Sequence, residues 1–233
     1  MDIYEELGVR TLINAAGAMS RYGGSLVDPG VYDAMREAGG KFCMLDELHE
    51  KVGERIAGLL EVEAAYVTAS AASGLVLTTA ACMAGTDPER IARLPDSSGM
   101  RSEVVIQRLH RIGYDQAIRL AGATLVVVED DGEPPLAAMR EAVGDDTAAI
   151  FCMAHRLEEP GSLRIEDYVA LSRESGVPLV VDAASECPPL STLTRFSREG
   201  ADLVIFSGGK SLLGPQSTGL VVGRGGLIAA CAA

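Results

Sequence analysis

Positive charge is in short supply in this chain. Its 233 residues carry 20 Lys and Arg against 33 Asp and Glu, a formal net charge of -13. A surface so acidic, with no basic run, repels a phosphate backbone and makes nucleic acid a poor partner. Long apolar runs are missing too. None reaches the roughly 18 residues that a membrane-spanning helix needs, and the opening "MDIYEELGVR" is acidic where a signal peptide is basic. These features favour a cytoplasmic protein without a membrane partner. Clustered metal or disulfide ligands are also lacking. The five cysteines at 43, 82, 152, 187 and 231 form no C-x-x-C pair, and only His49, His110 and His155 could join them, so no metal site is expected.

What the chain does have is a large apolar fraction, 48%, enough for the core of one large domain. From residue 60 onward short β-branched runs alternate with helical patterns, the signature of an α/β fold with crossover helices. Strands are expected at 64–68, 102–107, 123–129, 147–153, 177–182, 201–206 and 218–223. These make a seven-stranded, mostly parallel sheet, and its strands, apolar on both alternating faces, require helices on both sides. Helices are expected at 73–85, 114–122, 135–144 and 164–176. The polar stretch 86–103, with two prolines, reads as a long surface loop. Ahead of the sheet lie a Gly-rich stretch, "NAAGAMSRYGGS" (14–25), and two helical patterns. The second carries Leu45, Leu48, Val52, Ile56 and Leu59 on one stripe.

One motif carries chemistry: "FSGGKSLLGPQSTG" (206–219), directly after the apolar run "ADLVIF". A phosphate-cradling P-loop requires a glycine five residues before Gly209. That position is Val204, inside the strand, so the nucleotide reading fails on geometry. Lys210 is then either a solvated loop lysine or a lysine that holds an aldehyde cofactor covalently. Asp182, at the end of "VPLVVD", favours the second alternative. It precedes Lys210 by 28 positions, the span of a right-handed βαβ crossover of about 30 residues, which sets the two strand ends side by side. An aspartate so placed can pair with the protonated pyridine nitrogen of pyridoxal 5'-phosphate (PLP) while the lysine holds its aldehyde.

Two further stretches belong to the same sheet edge. In "VTASAASGLVL" (67–77) a strand stops, small residues take over and a helix starts. Several free backbone N–H groups therefore converge at a helix N-terminus, a phosphate site, although Ser70 or Ser73 merely capping the helix is the commoner arrangement. Ser207 could add a hydroxyl. His110, just past a strand end, could stack a flat ring on a flat cofactor, or be a structural histidine. Ligands of open parallel sheets bind beyond the carboxyl ends of the strands.

Taken together, "LINAAGAMSRYGGSLVDPGVYDAM", "TDPERIARLPDSSGM", "VIQRLHRIGYDQAIRLAGA", "GSLRIEDYVALSRESGVPLVVDAASECPP" and "DLVIFSGGKSLLGPQSTGLVVGR" resemble fold-type I PLP enzymes. The narrower likeness is to the selenocysteine-synthase-like branch, which includes D-glucosaminate-6-phosphate ammonia-lyases and L-seryl-tRNA(Sec) selenium transferases. The resemblance implies Lys210 as the Schiff-base lysine, Asp182 as the pyridinium partner, His110 as the ring-stacking residue, and Ser70, Ala71, Ala72 and Ser207 as the phosphate cup. Two local departures stand out: "TASAAS" replaces a Ser-Gly pair, and Ile112 stands where ammonia-lyase-like relatives carry a polar residue. By resemblance, residues 1–60 form an N-terminal arm with helices and 61–233 a PLP-binding large domain, without a C-terminal small domain. The implied activity is a lyase acting on an amino acid or amino sugar acid. The alternatives are a PLP-binding but catalytically incomplete remnant, an aminotransferase and a selenium transferase-like enzyme. A homodimer or higher homo-oligomer is the expected assembly.

Overall fold

The computed structural model describes residues 2–129 and 135–233. Its strands are β1 (Ala64–Thr68), β2 (Glu103–Gln107), β3 (Thr124–Val128), β4 (Thr147–Met153), β5 (Leu179–Asp182), β6 (Leu203–Ser207) and β7 (Gly219–Gly223). The helices are α1 (Ile3–Glu6), α2 (Pro29–Ala38), α3 (Leu45–Leu60), α4 (Ala71–Ala84), α5 (Pro88–Arg93), α6 (Gln116–Leu120), α7 (Leu136–Ala142), α8 (Ile165–Ser175), α9 (Thr192–Glu199) and α10 (Gly225–Ala232).

All seven expected strands form, and they join in one sheet of order β1-β7-β6-β5-β4-β2-β3. β3, β2, β4, β5 and β6 run parallel, while β7 is antiparallel to both its neighbours, β6 and β1. The reversal follows from the connection: residues 208–218 contain no helix, and a link without a crossover returns the chain antiparallel to the strand it left. Because β7 is flanked by antiparallel pairs on both sides, β1 and β6 point the same way. The carboxyl ends of β1 to β6 therefore lie along a single edge of the sheet.

Two cores flank the sheet, as its doubly apolar strands demand. On one face Val105, Ile150, Cys152, Leu179, Val181, Val204 and Phe206 pack with Met139, Tyr168 and Phe196 from α7, α8 and α9. On the other, Val104, Ile106, Phe151, Val180, Ile205 and Val221 pack with Leu75, Ile118 and Ile228 from α4, α6 and α10.

The stretch 86–103 is not wholly a loop. It contains α5, whose N-cap Asp87 accepts hydrogen bonds from the Glu89 and Arg90 N–H groups, with Pro88 in the first turn. Asp-Pro is a helix-start signal, since proline lacks the N–H that the first turn leaves unpaired anyway. The apolar stripe expected on α3 is split. Ile56 and Leu60 pack on the core beneath the sheet, whereas Leu45, Leu48 and Leu59 stay exposed. Ahead of α3 the chain barely touches the domain: of residues 2–52, Gly24 alone is buried.

Candidate functional site

The register of the parallel ladder places Met153, Asp182 and Ile205 in one row. Asp182 is the last residue of β5 and only 4% exposed. Its Oδ1 accepts a 2.9 Å hydrogen bond from the Ala184 N–H. Among the described residues nothing donates to its Oδ2. Burial pushes the carboxyl pKa up; the Ala184 N–H, then Lys210 and His155, oppose that rise. The aspartate is thus a charge held in a nearly dry place, with the lysine of the next strand near enough to act on it.

Lys210 follows β6 in a compact loop. Gly208 N–H donates to Thr218 O at 2.9 Å, Gly214 N–H to Gly208 O at 2.9 Å, and Leu213 N–H to Lys210 O at 3.0 Å. Lys210 is half-buried. The expected meeting of Asp182 and Lys210 at neighbouring strand ends is what the topology delivers.

Ser70 is the N-cap of α4, and its hydroxyl accepts a 3.0 Å hydrogen bond from the Ser73 N–H. The bland role expected of it is therefore filled. The Ala71 and Ala72 N–H groups, by contrast, make no hydrogen bond among the described residues, which leaves them to an anion at the positive end of a 14-residue helix. Ser207 pairs with Gly219 in the ladder. Gly219 in turn lies against the Ser70 carbonyl and Thr68 Oγ1 so closely that a Cβ there would overlap both. Ser207 and the start of α4 are brought to the same place across this glycine.

His110 requires a correction. The ring is completely buried. Nδ1 accepts from the Met153 N–H at 2.8 Å, and Nε2 lies 2.9 Å from Ser162 Oγ. Ser162 Oγ itself donates to Leu163 O, so the ring is neutral with its proton on Nε2. Tyr168 meets it edge-on at 5.7 Å. A ring wrapped in this way offers no open face for stacking; in this arrangement His110 ties the end of β2 to β4 and to the 162–163 turn. Burial, reinforced by His155 and Arg156, lowers its pKa to about 4. The exposed histidine of this edge is His155, two residues past the end of β4.

Two residues near this edge carry no sequence motif. His155 is a lone histidine in "MAHRLEEP", without a local pattern. Ser25 lies far away in sequence, yet its N–H and Oγ both donate to Gly209 O, at 3.0 and 2.9 Å. The only advance signal was the Gly-rich composition of 14–25. A cleft of ≈ 390 Å³ between α3, β1 and α10, where His49 stacks on Tyr66 at 4.9 Å, contains none of these residues.

The residues fit PLP. A buried carboxylate with a free oxygen calls for a cation such as a pyridinium, a half-buried lysine amine sits beside it, and two unpaired N–H groups at a helix start suit a phosphate.

Comparison with known proteins agrees. The D-glucosaminate-6-phosphate ammonia lyase of Salmonella typhimurium is 37% identical over all of this chain and 63% of its own length. A Streptomyces 5'-C-glycyluridine monooxygenase-decarboxylase is 37% identical over 99% of this chain and 58% of its own. The solved structure of a D-glucosaminate-6-phosphate ammonia-lyase superposes with a TM-score of 0.93 at 36% identity, covering 99% of this chain and 63% of that one. The chain thus spans about 60% of the length of these relatives. Residues 110–232, more than half of the chain, match the family described as Aminotransferase class-V; the chain belongs to that family, and its sheet is the fold-type I architecture of PLP enzymes.

Proposed function

We propose that this chain is the PLP-holding part of a lyase that takes an amino acid, preferably an amino sugar acid, and releases ammonia after loss of the Cα proton and a β-substituent. The observation that carries the reading is the placement of Lys210 beside the buried Asp182 at one sheet edge. The lyase name of the Salmonella relative supports the substrate class.

PLP, when bound, supplies a conjugated ring that takes up the electron pair left behind on Cα. Lys210 Nζ would hold the cofactor covalently in the absence of substrate, and its free amine would be the base that accepts the Cα proton. Asp182 keeps a proton on the pyridine nitrogen by pairing with it. Ala71 N–H, Ala72 N–H and Ser207 Oγ hold the phosphate. His110 keeps the ends of β2 and β4 in register around them.

The reading divides the chain into an arm at 1–60 and a large domain at 61–233, and makes it a dimer. The surface area supports the dimer: 13129 Å² is accessible, where a monomer of this mass has roughly 10,000 Å². The excess on one chain, roughly 3,000 Å², is more than the per-partner share of a typical obligate interface.

The test is direct. Purified chain incubated with PLP should develop a visible absorbance band, and borohydride should fix the label on Lys210 in the wild type and not in Lys210→Ala. Absence of label on Lys210 sinks the reading. A panel of amino acids and amino sugar acid phosphates, followed by ammonia release and by oxygen uptake, then separates a lyase from the oxidative chemistry named for the Streptomyces relative.

A further inference from the structure

Ahead of α3 the N-terminal arm makes one buried contact with the domain among the described residues, and it is with the lysine loop. Gly24, the sole buried residue of 2–52, has φ +79, and any Cβ there would collide with Gly209 O. Ser25 then spends both its donors on the same strip of main chain. Its N–H and Oγ go to Gly209 O at 3.0 and 2.9 Å, and Oγ also reaches Lys210 O. Three residues on, Asp28 N–H donates to Leu213 O at 3.1 Å. Gly209 O has no other partner among the described residues, so the carbonyl preceding Lys210 is oriented by the arm and not by its own loop. Apolar residues on either side of this contact are almost fully exposed, Ile13 at 99% and Leu26 at 93%.

We infer that Ser25 is a positioning residue for Lys210: with Gly24 it latches the arm to the main chain at 209–210, and the lysine amine is presented to its cofactor only while the arm is docked. The inference rests on the reading of Lys210 as the cofactor lysine. The physical reason is backbone orientation. Lys210's Cα–Cβ direction is set by the peptide plane it shares with Gly209, and Ser25 holds the carbonyl of that plane. Ser25→Ala keeps the N–H bond and removes the single Oγ–H donor shared between Gly209 O and Lys210 O; losing one hydrogen bond of ordinary strength corresponds to about a fivefold change in the population of the correct orientation.

The experiment uses the full chain freed of cofactor. PLP capture is followed by stopped-flow absorbance, and non-covalent affinity is measured with pyridoxine 5'-phosphate, which has the phosphate and ring but no aldehyde. Ser25→Ala should capture PLP about fivefold more slowly while binding pyridoxine 5'-phosphate as the wild type does. Ser25→Thr, which keeps the hydroxyl, should restore the rate, and Gly24→Ala should be slower than Ser25→Ala. Wild-type capture by Ser25→Ala overturns the inference while leaving the cofactor reading intact. A parallel loss of both ligands also overturns it, because the contact would then be merely structural. A wild type that never fixes PLP on Lys210 overturns the cofactor reading, and the inference with it.

Discussion

His110 Nδ1 accepts a 2.8 Å hydrogen bond from the main-chain N–H of Met153, so the ring cannot take up a second proton without losing its tie to β4. Burial has already lowered its pKa from 6.5 to about 4. In the unfolded chain the ring protonates near 6.5. As pH falls through that value the unfolded state gains a proton that the folded state refuses, and stability drops until the folded ring itself titrates near 4. Chemical denaturation of wild type and His110→Gln should therefore give a stability difference that is flat above pH 6.5. Between pH 6.5 and 4 it should move against the wild type by on the order of 3 kcal/mol. A difference that does not vary with pH means that the ring is solvated.

Asp182 works in the opposite sense. Its folded pKa is raised by burial, so the stability it contributes is present while it is protonated, at low pH, and is lost as pH rises through the raised value. Burying this carboxyl therefore opposes folding of the cofactor-free protein once pH is above the ordinary carboxyl range. Asp182→Asn, whose amide oxygen can still accept from the Ala184 N–H, should raise the melting temperature of that form by a few degrees. The same change should lower turnover about a hundredfold or more, with PLP still fixed on Lys210. An Asp182→Asn protein with full turnover would make the aspartate structural.

Gly219 should tolerate no side chain. Its missing Cβ makes room for Ser70 and Thr68 Oγ1, and Gly219→Ala should destabilise the fold by about 1–3 kcal/mol and weaken PLP retention by pushing α4 away from Ser207. Gly226→Ala is the control. That residue lies in the first turn of α10 with open space around its Cβ, and the same substitution there should be neutral or slightly stabilising. Equal effects at the two sites would remove the close-approach argument.

Sedimentation should find at least a dimer at micromolar concentration. Leu12, Ile13, Leu26, Leu45 and Leu48 of the arm and of α3 are exposed, and apolar side chains in contiguous patches are ones that a second copy covers. Charged substitutions at Leu45 and Leu48 together should shift the protein towards monomer. A wild-type monomer that retains PLP would refute the shared interface.

The sequence by itself determined the sheet and marked the edge on which the candidate site residues lie. Strand signals are local: a doubly apolar run such as 147–153 or 219–223 has few alternatives, and Asp182 and Lys210 close such runs within one βαβ span. The P-loop was excludable from a single position, Val204. Helices with diluted signals were harder to read. α5 lay hidden in a polar stretch with two prolines, and α9 and α10 went unmarked. Only the tertiary structure decided the roles that depend on who the neighbours are. His110 was legible as a histidine at the right edge, but whether its ring faces a cleft or a wall is set by Met153, Ser162 and Tyr168, which arrive from other elements. Ser25 lies 184 residues from Gly209, and no sequence period links them. The antiparallel turn of β7, which lays Gly219 beside both Ser207 and Ser70, is likewise a matter of pairing order. Local propensity and burial are written residue by residue, whereas orientation and hydrogen-bond partners come from parts of the chain that meet only when it folds.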